Sequence, residues 1–85
     1  MNKEDICAVI ISAIDLSEKQ TLLLSQFVKN NADVNMDEIT VDSLSAMELS
    51  ISFEANLGIS IEPEMILSEK SLGSLVQRLI ALNVH

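Results

Sequence analysis

In Asp42-Ser43-Leu44-Ser45-Ala46-Met47-Glu48-Leu49, a helix-capping residue stands directly before an apolar helical pattern, and this arrangement predicts the central helix of the fold. Asp is favoured before a helix, where its carboxylate accepts from the free amides of the first turn and meets the positive end of the helix dipole. We therefore predict a helix from Ser43 to about Leu57. Gly58 would end it as a left-handed cap, with Ile59 folding back as a hydrophobic contact.

This predicted helix has two apolar sides. Leu49, Phe53 and Leu57 are spaced four apart and should face the core. A second group of side chains is displaced from that stripe and mixes apolar with acidic residues. We interpret it as a partner-binding surface formed by Ala46, Met47, Glu48, Ile51, Glu54 and Ala55. The alternative left open is that Met47 and Ile51 form a second edge of the core.

Length and composition predict one small all-α domain over residues 1–85. Hydrophobic residues make up 48% of the chain, but Phe27 and Phe53 are its only aromatic residues, so aliphatic side chains and Met must build the core. This composition favours helices over strands. The acidic N-terminal residues do not suit a signal peptide, and the apolar run at 7–11 is too short to cross a bilayer, so we expect a cytoplasmic protein.

The negative net charge of the chain indicates which classes of partner it can bind. Thirteen Asp and Glu against five Lys and Arg give a formal net charge of −8, and nine of the acidic residues lie between Asn30 and Lys70 without a basic residue among them. Such a field repels nucleic acid and anionic lipid and attracts proteins with basic patches. We therefore expect neither a nucleic-acid nor a membrane partner, and we expect a monomer.

The residues before the central helix predict a first helix and a less certain second one. Apolar residues recur at helical spacing from Lys3 to about Leu16, with Asn2 as a plausible cap. Ser17 and Gln20 are spaced as a capping box, so a second helical piece could follow to about Lys29. The same residues could instead extend the first helix or form a packed loop. Residues 30–35 read as an exposed connection, for which the predicted anchors are Met36, Ile39 and Val41.

The residues after the central helix predict an extended link and two helices. Residues 59–62 alternate too briefly to form a strand. Pro63 suits the first position of a short helix. A final amphipathic helix should follow Lys70 or Ser71 and end near Leu82, closing the core.

Asp42-Ser43-Leu44 at the start of an acidic helix resembles the attachment motif of acyl carrier proteins, including the discrete carriers of polyketide and fatty-acid assembly. The resemblance extends from about Ile39 to Leu82, through Leu57-Gly58-Ile59 and the turn that Pro63 begins. It implies an antiparallel four-helix bundle with a long loop before the second helix and a short third helix. It also implies a 4′-phosphopantetheine arm, donated from coenzyme A and attached to Ser43, with Asp42 and Leu44 completing the motif.

The family resemblance also implies which enzymes bind this protein, and the chain differs from the family pattern at one position. The partners would be a phosphopantetheinyl transferase and enzymes of acyltransferase, ketosynthase or acyl-ligase type with basic docking patches. Family members usually have Gly three residues before the attachment serine, where this chain has Thr40. Because a positive φ would be costly for Thr, we expect the loop to take another path.

The residues do not favour an enzyme. A nucleophilic serine needs a base, and the single histidine, His85, ends the chain, so we assign it no catalytic or metal-binding role. Cys7 is interpreted as a core residue. Two alternatives to an acyl carrier remain: a peptidyl or aminoacyl carrier of a nonribosomal pathway, and a small helical adaptor that never carries the arm.

Overall fold

The structure is a computed structural model, and it describes residues 1–83. In chain order these residues form five α-helices: α1 (Lys3–Ala13), α2 (Glu18–Asn30), α3 (Ser43–Leu57), α4 (Pro63–Ser68) and α5 (Leu72–Asn83). A short 3-10 helix (Met36–Ile39) lies between α2 and α3. The predicted all-α fold is confirmed. The prediction for His85 lies outside the described residues.

Side-chain caps explain where the first helices begin. Asn2 accepts from the Asp5 amide at 3.0 Å, and the Asp5 carboxylate accepts in return from the Asn2 amide. Ser17 and Gln20 form a second reciprocal pair at the start of α2, as their spacing predicted. Segment 18–30 is therefore a separate helix, which settles the alternatives left open and adds a fifth helix to the predicted bundle. Helix α1 ends at Ala13 rather than Leu16, because Ile14 is extended.

The ends of α3 and the two helices after it follow the predicted signals. Gly58 is left-handed at φ 68°, its amide donates to the Glu54 carbonyl at 3.0 Å, and the Ile59 amide donates back to Phe53. Residues 59–62 form the expected extended link, which the Ser50 hydroxyl anchors by donating to the Ile61 carbonyl. Pro63 opens α4, and Ser71 precedes α5, where its hydroxyl accepts from the Ser74 amide.

One continuous hydrophobic core joins the helices. The largest fully buried side chain is Phe53 of α3, and Leu49 lies one turn before it on the same side. Helix α3 packs against both α1 and α4, so it is the central element of the bundle. The predicted anchors Met36 and Ile39 are buried, and Val41 packs against the core from the edge.

Two polar contacts link segments that are distant in sequence, and the first of them comes from the long connection between α2 and α3. The Asp33 carboxylate accepts from the Gly73 amide at 2.8 Å, so a side chain in the connection caps the first turn of α5. The Lys3 ammonium donates to the Phe27 carbonyl at 3.0 Å and lies 5.1 Å from the centre of the Phe27 ring. A cation at the carboxyl end of α2 also complements the dipole of that helix.

None of the helices formed by residues 1–83 combines the length and the apolar character that crossing a membrane requires. Cys7, the single cysteine, is buried as predicted, and this burial raises the pKa of its thiol to about 11. A thiol in that environment stays protonated near neutral pH and packs as a small apolar side chain.

Candidate functional site

Ser43 occupies the first position of α3 and is exposed to solvent. Asp42 caps the helix as predicted, since its Oδ1 accepts from the Ser45 amide at 2.8 Å and its carbonyl accepts from the Ala46 amide at the same distance. The cap fixes the backbone on both sides of Ser43. An exposed hydroxyl on a fixed backbone suits a covalent modification delivered by another protein.

The electrostatics of this helix start favour an anion. Hydrogen bonds from Ser45, first from its amide and then from its side chain, lower the pKa of the Asp42 carboxyl. Asp42 is therefore ionised near neutral pH, and the amides of the first turn face it. A phosphate ester on Ser43 would meet the same positive end of α3, so the residues present fit a phosphopantetheine arm.

The loop before Ser43 contradicts one sequence prediction. Thr40 adopts the left-handed conformation at φ 53° and ψ 52°, so the loop does not take another path to avoid it. A β-branched residue in this conformation costs roughly 1–3 kcal/mol. The surrounding structure must therefore supply contacts that hold Thr40 where glycine would need none.

Those contacts come from Gln20 at the start of α2. Its Nε2 donates to the Thr40 hydroxyl oxygen and to the Glu38 carbonyl, each at 3.1 Å. Its Oε1 accepts from the Ser17 amide at 2.9 Å, which fixes the orientation of the carboxamide. Helix α2 and the loop before Ser43 are thus joined by one side chain.

The predicted partner-binding surface is exposed with one exception. The exposed fractions of Met47 and Ile51 are 53% and 64%, so they do not form a second edge of the core. Glu48, Glu54 and Ala55 are also exposed. Ala46 was wrongly included, because it is completely buried. We define the remaining set, Met47, Glu48, Ile51, Glu54 and Ala55, as the α3 outer surface.

Leu44 adds a further exposed apolar side chain beside Ser43, with 65% of its surface accessible. A groove of about 560 Å³ runs between the 3-10 helix and the end of α4. Val41 lines this groove together with Met36, Asp37, Ile66, Leu67 and Lys70. The sequence analysis did not predict the groove, because it depends on how two short helices pack.

Gln20 and Thr40 were also not predicted to meet. Gln20 was recognised only as a capping residue, and the two residues are twenty positions apart. The available signal was Thr40 itself, since a β-branched residue at a position that favours glycine requires support from elsewhere in the chain.

Fold and site together define a class: a small helical bundle whose central helix begins with an exposed serine, directly after the Asp that caps the helix. The family model for the phosphopantetheine attachment site matches residues 5–79. This chain belongs to that phosphopantetheine-binding family, whose members are carriers rather than enzymes and bear the arm covalently. Searches of curated proteins and of solved structures found no match.

Proposed function

We propose that Ser43 is the residue that bears the 4′-phosphopantetheine arm. The observation that carries this proposal is the exposed Ser43 hydroxyl directly after the Asp42 cap, at the positive end of the α3 dipole. A transferase would join the Ser43 oxygen to the phosphorus that bears the pantetheine in coenzyme A, which breaks the diphosphate bond and releases adenosine 3′,5′-bisphosphate. Because no histidine lies among the described residues, the base that takes the hydroxyl proton would belong to the transferase.

We further propose that the protein carries acyl groups for fatty-acid or polyketide-type biosynthesis. When bound, the arm supplies a terminal thiol that holds an acyl group as a thioester. The acidic stretch from Asn30 to Lys70 supports partners with basic docking patches, such as acyltransferases, ketosynthases or acyl ligases. That the chain acts as a single cytoplasmic carrier domain, without a nucleic-acid or membrane partner and as a monomer, stays a prediction.

We propose the α3 outer surface as the contact for these partners. Met47 lies one helical turn after Ser43 on a similar side of α3, so an enzyme that reaches the arm would pass close to it. Its exposed apolar area, together with Ile51, has acidic side chains at Glu48 and Glu54 around it. An apolar contact with a charged border is typical of a protein interface.

Loading of Ser43→Ala tests the attachment site. The protein is incubated with a broad-specificity phosphopantetheinyl transferase and coenzyme A, and its intact mass is followed. Wild type should gain one phosphopantetheine and Ser43→Ala none, with an unchanged helical circular dichroism spectrum. Ser60→Ala, at an exposed serine in the link after α3, is the matched control and should load normally. Loading of Ser43→Ala would assign the arm to another residue.

Mass spectrometry of the protein from its native host separates the cargo classes. Acyl thioesters on the arm would support an acyl carrier, whereas aminoacyl or peptidyl thioesters would support a nonribosomal carrier. A population without any arm would support the unmodified adaptor. The acidic field around Ser43 favours the first outcome.

A further inference from the structure

We propose that Gln20 is a positioning residue for the attachment site, because it holds Thr40 in the left-handed conformation that sets the path of the chain into Asp42 and Ser43. This inference rests on the proposed attachment at Ser43. It assigns to α2 a role in presenting that serine, which lies twenty-three positions after Gln20.

The first step is the fixed orientation of the Gln20 carboxamide. Its Oε1 accepts from the Ser17 amide at 2.9 Å, and the Gln20 amide donates to the Ser17 hydroxyl at 3.1 Å. The carboxamide oxygen is therefore committed to the cap of α2. Its nitrogen must then face the loop, where it donates to both the Glu38 carbonyl and the Thr40 hydroxyl oxygen.

Thr40 needs these hydrogen bonds from Gln20 to keep its left-handed conformation. Within the loop, its amide donates to the Asp37 carbonyl at 3.3 Å, a long bond for a residue in a disfavoured conformation. The Gln20 contacts fix both the Thr40 side chain and the carbonyl two residues earlier. Without them, a β-branched residue would favour negative φ.

The third step is that the conformation of Thr40 governs the residues that follow it. Ile39 is buried on one side of Thr40, and Val41 packs against the core on the other. A change of φ between these two anchors would redirect Val41 and the Asp42 cap. The arrangement of Ser43 that a transferase recognises would then be populated only part of the time.

Two substitutions at Thr40 distinguish support of its backbone conformation by Gln20 from direct contact of its hydroxyl with the transferase. Thr40→Val keeps the branched shape but loses the oxygen that accepts from Gln20, so we expect the left-handed state to be depopulated. The KM of a broad-specificity transferase for this carrier should then rise about fivefold or more with kcat unchanged, since only the competent fraction binds. Thr40→Gly takes the left-handed conformation without support and should load within about twofold of wild type.

Substitution at Gln20 provides the reciprocal test. Gln20→Glu can still accept from the Ser17 amide and retains the α2 cap, but its carboxylate cannot donate to the Glu38 carbonyl. We expect a rise in KM similar to that of Thr40→Val, and recovery in the double variant Gln20→Glu with Thr40→Gly. Asn2→Ala removes the distant α1 cap and serves as a control for lost stability, with loading unchanged.

The outcomes are distinguishable. A rise in KM for Thr40→Val and Gln20→Glu, with recovery by Thr40→Gly, supports the role of Gln20. Equal impairment of Thr40→Val and Thr40→Gly would mean that the transferase needs the hydroxyl itself, and normal loading of Gln20→Glu would remove the positioning role; either result overturns the inference. Wild-type loading at a residue other than Ser43 would instead overturn the proposed function.

Discussion

Ala46 and Met47 show how strongly neighbouring residues of α3 differ in environment. Ala46 is completely buried, whereas 53% of Met47 is exposed. The sequence pattern assigned both to one surface, because spacing alone does not fix the rotation of a helix that has neighbours on two sides. Helix α3 packs against both α1 and α4, and Ala46 belongs to the buried core cluster.

We predict opposite results for a carboxylate placed at these two positions. Met47→Glu should leave the melting temperature near wild type and slow arm transfer by a natural partner several-fold, because it removes an apolar contact. Ala46→Glu should unfold the domain, because a buried unpaired carboxylate costs several kcal/mol. Melting and loading are measured on the same preparations. Unchanged loading of Met47→Glu would remove Met47 from the interface, and its unfolding would place the side chain in the core.

Glu48 should affect the rate at which a partner enzyme associates with the carrier rather than the lifetime of their complex. Its exposed carboxylate steers a basic partner at long range, and salt screens this attraction over about 10 Å at 0.1 M ionic strength. We expect Glu48→Gln to flatten the dependence of the loading rate on salt while the rate at high salt stays near wild type. A salt dependence equal to that of wild type would contradict steering by this residue.

The conformation of Thr40 could not be predicted from the residues around it. Its β-branched side chain disfavours a left-handed conformation, so the sequence predicted another loop path. The hydrogen bonds that stabilise this conformation come from Gln20, which is distant in sequence. No local sequence pattern could therefore indicate them.

At the scale of elements, local signals gave most of the boundaries. The caps at Asn2, Ser17, Asp42 and Gly58 were all predicted, because each depends on residues within four positions of the helix end. The independence of α2 remained open, since apolar spacing continues across Ile14, whose extended backbone ends α1. The contact between Asp33 and α5 could not be predicted, because it spans forty positions.

Asp33 carries a prediction on pH. Burial raises the pKa of its carboxyl, but hydrogen bonds from the Gly73 and Val34 amides and the Ser71 hydroxyl outweigh burial, so the pKa is lowered. A lowered pKa in the folded state contributes stability above the unfolded pKa of about 3.9, and that contribution is lost as the pH falls through the folded value. Asp33→Asn should therefore retain the cap but weaken the loss of stability below about pH 4.

Asp33→Ala is the companion variant, because it removes the capping oxygen altogether. It should lower the free energy of unfolding at pH 7 by about 1 kcal/mol, a typical value for a lost helix cap. Urea unfolding at pH 7 and at pH 3 measures both effects. If Asp33→Asn keeps the pH profile of wild type, Asp33 does not contribute to acid sensitivity.

At the scale of the whole molecule, a chain of 85 residues with two Phe and neither Trp nor Tyr has few large side chains to fill its core. Phe53 is completely buried on the central helix, and Phe27 is the only other aromatic residue in the chain. We predict that Phe53→Ala lowers the free energy of unfolding by about 3–5 kcal/mol, out of a total of roughly 5–15 kcal/mol for a typical domain. Leu22→Ala, at an exposed position of α2, is the control. Equal shifts in the urea midpoint of the two variants would contradict the central role of Phe53.

The separation of charged from buried residues explains how so acidic a carrier folds. The polar residues lie outside the core, and the buried side chains are all apolar among the residues that the structure describes. Aliphatic packing supplies stability, and we expect the charged side chains outside the core to act in the encounter with partners. Composition alone predicted this division, because the hydrophobic fraction is high and the net charge is strongly negative.

Fragmentation of the loaded protein in a mass spectrometer shows which residue bears the arm, and we predict Ser43. The phosphopantetheine increment should lie on a fragment containing Ser43, and fragments that separate Ser43 from Ser45 should keep it with the former. An increment on any other residue, or a protein that an active transferase leaves unmodified, would contradict the account.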